Sequence, residues 1–208
     1  MRKAFLLVGV LGLALCITYL LLHKNPDAEK IELKDKPLTV GTKSSAFNKS
    51  FELVLNDYYS LSDAFVESDS ALIGAALQKL NNSLDSLHFN QLKADTAIIQ
   101  TAQSLVLSIK AEISGLDGEK GMEQKKREFN MVTDELYSLI RTVRYEGNTI
   151  YHMRCTTAFP DSSEVYWLSS ENKVVNPYLG KHHPLYKDKM LGSGELSDSI
   201  HFTAPVSE

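Results

Sequence analysis

The sequence predicts a mainly α protein with an N-terminal transmembrane helix, then an antiparallel four-helix bundle with a small irregular or β C-terminal cap. Three observations lead to this prediction. Residues 4–22 carry no charge, four segments with helical spacing of apolar residues follow within 46–148, and the helical period is lost after Gly147. At 208 residues with 43% hydrophobic content, the chain can bury the core of one ordinary domain with appendages.

Residues 1–24 are interpreted as a membrane anchor. A helix over residues 4–22 would be about 28 Å long, close to the hydrocarbon thickness of a bilayer. A cleaved signal peptide is the weaker alternative, because no small-x-small site ends the apolar run. Arg2 and Lys3 lie on its N-terminal side. The positive-inside rule therefore predicts a single-pass inner-membrane protein whose C-terminal domain is periplasmic.

Cys16 is a second candidate point of attachment to the membrane. The stretch Leu13–Cys16 is similar to the signal that precedes a lipidated cysteine in bacterial lipoproteins. Leu15 breaks the requirement for a small residue before the cysteine, however, and the apolar run continues beyond it. Lipoprotein anchoring is therefore less favoured than a transmembrane helix.

A linker at residues 25–45, polar and interrupted by Pro26, Pro37 and Gly41, leads into the bundle at residues 46–148. Apolar residues at i, i+3, i+4 and i+7 predict its helices. The first helix is predicted from about Ser45 to Glu67, and the second starts at an N-cap site within residues 68–70 and ends near His88. A third periodic run opens at about Asp95 or Thr96 and stops before Gly115 and Gly118. A fourth run follows Gly121, begins at Met122 and ends near Gly147.

Two groups of polar residues in the bundle receive structural interpretations. Tyr58 and Tyr59 are expected at the edge of the core, since aromatic residues at helical spacing usually pack. The charged run Glu123–Glu128 is interpreted as a solvated helix face with i, i+4 pairs. An inward-facing Glu-x-x-His repeat is absent from the sequence, so a di-iron bundle is not supported.

The C-terminal cap is assigned to residues 149–196 and a flexible tail to residues 197–208. Short strands are expected at Thr149–Tyr151 and Val165–Leu168, and the Asn-Pro and His-Pro steps after residue 175 predict turns. Trp167 is expected to cover the end of the bundle.

Four stretches of this cap carry a family resemblance. Cys155, Tyr166–Ser169, Asn176–Gly180 and Met190–Gly194 resemble the closing motifs of domain of unknown function 3347. That family occurs in bacterial envelope proteins and attached to some heavy-metal efflux adaptor subunits, with a helical first part and a Cys-bearing tail. The resemblance covers roughly residues 46–196 and implies a role in the envelope, with a link to metal handling.

The chain departs from the family pattern at two places. Relatives commonly show Cys-Pro-Met where this chain has Cys155-Thr156-Thr157, and a cysteine where it has Ser193. If the two family cysteines form a thiol pair or a metal site, this chain has lost half of it.

The donor types in the cap raise the hypothesis of a soft-metal site, because thiolate, thioether and imidazole groups suit Cu(I). On one strand Met153 and Cys155 would share a face, and His152 would point the other way. The competing interpretation is that these residues only pack and that the two adjacent histidines decorate a loop. The candidate metal ligands are Cys155, Met153, His152, His182, His183 and Met190.

Other functions are weaker predictions. Net charge is −4 and basic residues are not clustered, which argues against a nucleic-acid partner. A catalytic Cys155 with His182 or His183 as base has no accompanying oxyanion motif, so an enzyme is not expected. An unpaired thiol in an oxidising compartment also leaves a Cys155-linked dimer as a possible state.

The sequence therefore favours a membrane-anchored periplasmic module that binds a ligand or an envelope protein partner, with copper handling implied by the resemblance. The alternative is a purely structural or protein-interaction bundle without a metal role.

Overall fold

The computed structural model describes residues 38–40 and 44–203. The predicted transmembrane helix, Cys16 and most of the predicted linker lie outside these residues, as does the chain from residue 204. Within the described part, no helix is both long and apolar enough to cross a membrane. The described residues form four α-helices and a three-stranded antiparallel sheet, which confirms the mainly helical class.

The first two helices begin beside residues whose side chains cap them. Helix α1 covers Ser45–Val66, and the Ser44 hydroxyl accepts a hydrogen bond of 3.1 Å from the backbone N–H three residues further on. Helix α2 covers Ser70–Asp85, and the Asp69 carboxylate accepts a bond of 2.8 Å from the N–H of Ala71. Each cap satisfies a donor that the first helical turn leaves free. The N-cap site predicted within residues 68–70 is confirmed.

Helix α3 covers Thr96–Gly118 and continues past Gly115, where the sequence predicted that it would stop. Helix α4 follows at Met122–Val143. Lys125 in α4 donates a hydrogen bond of 2.8 Å to the carbonyl of Leu116. Carbonyls in the last turn of a helix lack partners within the helix, so this lysine stabilises the turn beyond the glycine.

Helices α1 and α4 are antiparallel neighbours. Phe51, near the start of α1, stacks on Tyr145 just beyond α4 with a ring-centroid distance of 4.9 Å. Phe65, near the end of α1, packs on Phe129 in the first half of α4 at 4.6 Å. Helices that follow one another along the chain also contact each other. The four helices therefore form the predicted bundle.

The bundle core and the cap core are continuous. Phe129 is fully buried, and its ring centroid lies 5.5 Å from that of Tyr58 and 4.6 Å from that of Phe65. The ring of Tyr178, which belongs to the cap, lies 5.7 Å from that of Phe129. Because these aromatic groups are buried together, cap and bundle stabilise each other.

The cap contains a sheet in the order β2-β1-β3, with antiparallel neighbours. Strand β1 is Ile150–Cys155, β2 is Val165–Ser169 and β3 is Glu195–Ile200. Strand β3 crosses the predicted boundary between cap and tail at residue 196, so the cap extends further than the sequence indicated. Strand β3 lies at the edge of the sheet, and its residues are mostly polar and exposed. It therefore lacks the alternation of apolar and polar residues by which a strand is predicted from sequence.

Helix side chains satisfy the outer edge of β2. The backbone N–H of Tyr166 donates to the Asn130 side-chain oxygen at 2.8 Å, and that of Leu168 donates to the Tyr58 hydroxyl at 3.1 Å. The Tyr58 hydroxyl lies 2.7 Å from that of Thr133, which itself donates to a backbone carbonyl, so Tyr58 is the donor between them. Burial raises the pKa of Tyr58, and this hydroxyl stays protonated.

Asn176 organises the loop between β2 and β3. Its side-chain oxygen accepts hydrogen bonds from the N–H groups of Tyr178 and Leu179 at 2.9 and 3.0 Å, and its amide donates to the Ser193 carbonyl at 2.7 Å. The residue is fully buried. The turn predicted at Asn176 is thereby confirmed, and its amide also holds the loop segment that leads into β3.

Candidate functional site

Two of the predicted metal ligands face the core. Met153 lies opposite Trp167 on β2 and is 0% exposed, and Cys155 lies opposite Val165 and is 3% exposed. The cysteine is a free thiol whose sulfur lies 3.5 Å from the Thr157 hydroxyl. A Cys155-linked dimer would therefore require the cap to open.

His152 occupies a separate position on β1. Its ring is stacked between those of Tyr137 and Tyr166, with centroid distances of 4.1 and 4.7 Å. Its Nε2 atom is buried and has no hydrogen-bond partner among the described residues. Burial lowers the pKa of this histidine, so the fold favours its neutral form and loses stability as the pH falls below the pKa of an unfolded histidine, about 6.5.

The remaining three candidates lie on the loop before β3. The His182 ring is 66% exposed, with Nε2 3.6 Å from a carboxylate oxygen of Glu67. His183 stacks on Tyr186 at 4.8 Å, and its Nδ1 accepts hydrogen bonds from two backbone N–H groups, which assigns the proton of the neutral ring to Nε2. The Met190 sulfur accepts a bond of 3.5 Å from Ser193.

The structure does not bring the six candidates into one site. In the part of the chain that the structure describes, no group of three or more His, Cys, Asp or Glu side chains could hold a metal ion. The pairing of Arg154 with Glu195 does, however, place Ser193 and Gly194 close to Cys155 along β1. Ser193, where the family resemblance implies a second cysteine, therefore directly precedes Gly194, which lines the same cavity as Cys155.

A small cavity of about 220 Å³ borders Cys155. Thr156, Thr157 and Gly194 line it together with the thiol. At its rim Arg154 forms ion pairs with Glu164 at 3.1 Å and Glu195 at 2.7 Å.

A larger cleft of about 510 Å³ lies between the start of α4 and the cap loops. Its apolar walls include Met122, Ala158, Phe159, Pro160 and Pro184. Its polar groups are Lys126, Glu123, Ser68, His182 and His183. In this cleft two of the predicted ligands, the adjacent histidines, lie beside Lys126 and Glu123 of the bundle.

Lys126 is the group that sequence reasoning missed. It is 8% exposed, and its ammonium donates to the backbone carbonyl of Tyr178. The interpretation of Glu123–Glu128 as a solvated face is wrong at Lys125 and Lys126, which are both buried. The signal was present in the helical period, because Lys126 is four residues after Met122 and three before Phe129. Burial lowers the pKa of this lysine.

The Glu123 carboxylate on the cleft wall already forms an ion pair with Arg127. Glu123 pairs with Arg127 at 3.0 Å, and the same guanidinium pairs with Asp161 at 3.1 Å while lying 4.1 Å from the centre of the Phe159 ring. Within the described residues, no carboxylate lies at ion-pair distance from Lys126. The cleft therefore contains a buried ammonium without an anionic partner.

The helical part of the chain matches a known protein family. Residues 54–147 match the family Protein of unknown function (DUF3347). The predicted resemblance is thereby confirmed over this segment. No curated protein and no solved structure matches the chain.

The DUF3347 match covers most of α1, all of α2 and α3, and α4. Lys126 and Met122 lie within the match, whereas the cap motifs from Cys155 onward lie outside it. The DUF3347 segment therefore supplies the helical wall of the cleft and its ammonium.

Proposed function

We propose that this chain is a non-enzymatic, membrane-anchored periplasmic module that binds a ligand in the cleft between α4 and the cap. The observation that carries the proposal is the cleft itself, a concave site of about 510 Å³ in which apolar walls and five polar side chains converge. Ligand sites in proteins are commonly of this size and combine apolar walls with convergent polar groups. The uncharged run at residues 4–22 supports the anchor, and its basic N-terminal flank supports the periplasmic side.

Two residues, Arg127 and Asn176, hold the cleft walls in place without a ligand. Arg127 lies over the Phe159 ring and joins two carboxylates, and the Asn176 side chain holds the backbone of Tyr178. A site formed in advance loses less conformational entropy when a ligand binds. The thiol of Cys155 and the rings of His182 and His183 border different cavities, which supports binding over Cys-His catalysis.

Filling the cleft should abolish binding. The full chain, labelled with ¹³C-methyl methionine and held in lipid nanodiscs, would be titrated with benzyl alcohol, benzoate and benzylammonium. We expect at least one probe to shift the Met122 methyl signal and to leave that of Met131, which is 45% exposed on the same helix, unchanged. Ala158→Trp fills the cleft and should remove the shift.

Ala75→Trp on the exposed surface of α2 is the matched control and should retain the shift. If none of the three probes moves the Met122 signal, the cleft is not a ligand site and the proposed function fails.

Copper handling is a second candidate function, favoured by the Cys155 thiol at a small cavity. In an anaerobic titration of the full chain with Cu(I), we expect one equivalent to bind and Cys155→Ser to abolish the uptake. His182→Asn should leave it unchanged, because His182 borders the other cavity. Equal uptake by the wild type and by Cys155→Ser would contradict the copper hypothesis. A purely structural bundle would neither take up copper nor show a shift of the Met122 methyl signal with any of the three probes.

A further inference from the structure

The buried ammonium of Lys126 has unused bonding capacity. A lysine carries three N–H donors, and the carbonyl of Tyr178 accepts one of them. A buried charge is costly unless it is paired and hydrogen-bonded. An anion that entered the cleft would supply the missing partner.

Lys125 shows that burial of a lysine here does not by itself require a ligand. It is 9% exposed, and its ammonium bonds to the carbonyls of Leu116 and Asp117 at 2.8 and 3.4 Å. These carbonyls are at the end of a helix, where the dipole favours a cation. Lys126 has a loop carbonyl and a cleft instead.

Nearby carboxylates are already engaged. Glu123 and Asp161 both pair with Arg127, and Glu67 pairs with Lys181 and lies 3.6 Å from His182. These pairs leave the charge of Lys126 available to an anion from solution.

The apolar residues that line the cleft indicate the chemistry of the uncharged part of the ligand. Met122, Phe159 and Pro184 present apolar surface beside the ammonium, which suits an apolar body attached to a single charged group. Phosphate groups are usually bound by several cations or by an arginine fork, whereas Arg127 is held over Phe159 by its two carboxylates. Neutral His183 has its Nε2–H free to donate as a second contact, since Nδ1 already accepts from the backbone.

We infer that the cleft selects a monocarboxylate with an apolar body, bound with its carboxylate at Lys126 and its body against Met122, Phe159 and Pro184. This inference rests on the proposed function, because it names the ligand class of the same cleft.

The three probes above share an aromatic body and differ in charge, so their order of affinity tests the inference in full-length protein. Benzoate should bind about tenfold or more tightly than benzyl alcohol, as expected for a hydrogen bond between charged groups, and benzylammonium should bind most weakly. Lys126→Met should remove the preference for benzoate. Lys125→Met removes the other buried lysine of the same helix and should keep that preference.

Equal affinity of the wild type for benzoate and benzyl alcohol would overturn the inference while leaving the cleft as a binding site. Retention of the benzoate preference in Lys126→Met would overturn it as well. A Met122 signal that none of the probes shifts would instead refute the proposed function, so the two failures are distinguishable.

Discussion

Replacing Gly194 by alanine should lower the free energy of unfolding by about 3 kcal/mol, since strained backbone and overpacking each cost on the order of 1–3 kcal/mol. Gly194 has φ +133°, and an added Cβ would lie 2.7 Å from both the Arg154 carbonyl oxygen and the Trp167 ring. Trp167 is the only tryptophan of the chain, so its fluorescence reports on this contact. Thermal unfolding of the full chain in mild detergent should show a midpoint about 6–12 °C lower.

Gly192 provides the matched control for this change. A Cβ built on it meets no atom within 4 Å, and its φ is outside the left-handed region. Gly192→Ala should therefore change the free energy of unfolding by less than about 0.5 kcal/mol. Equal midpoints for the two variants would show that the close approach at Gly194 does not constrain the cap.

Replacing Phe129 by alanine should cost about 3–5 kcal/mol, the usual range for deletion of a buried aromatic side chain. Its ring is fully buried against Tyr58, Phe65 and Tyr178, so a cavity would open where bundle and cap meet. Both the helical circular dichroism signal and the Trp167 fluorescence should then be lost at a lower temperature than in the wild type.

Two variants check this assignment. Phe129→Leu leaves a smaller cavity and should lose less stability than Phe129→Ala. Met131→Ala, at a residue that is 45% exposed on the same helix, should change stability by less than about 0.5 kcal/mol. A helical signal that melts at the wild-type temperature in Phe129→Ala would mean that the bundle core does not depend on this ring.

The helices were predictable because their signals are local. Apolar residues at helical spacing identify the buried stripe, and Asp69 is a capping residue next to the start of α2. The end of α3 was not predictable in this way. Lys125 reaches back from the next helix and donates to the carbonyl of Leu116 beyond the glycine, a contact that a local pattern does not show.

Strand β3 and the burial of Lys126 were also not predicted from the sequence. The sequence of β3 is polar, and its pairing with β1 depends on a partner more than forty residues earlier in the chain, about which a local pattern carries no information. Lys126 looked like a surface residue because lysine usually is one. Its position relative to Met122 and Phe129 contained the contrary signal.

The candidate metal site was predicted from residue types, and types do not determine proximity. Strand alternation correctly separated His152, which stacks on Tyr166, from Met153, which lies opposite Trp167. Where the loop bearing His182 and His183 would pack could not be deduced, since that depends on contacts with α1 and α4.

The bonding of the outer edge of β2 to Tyr58 and Asn130 also implies an order of folding. These acceptors are in place only when α1 and α4 are folded, so we expect the helices to form before the sheet is complete. Until then β2 carries unpaired N–H groups that another chain could bind. Synthesis from the N-terminus favours folding of the helices before β2, because the helical part leaves the ribosome before the strand that depends on it.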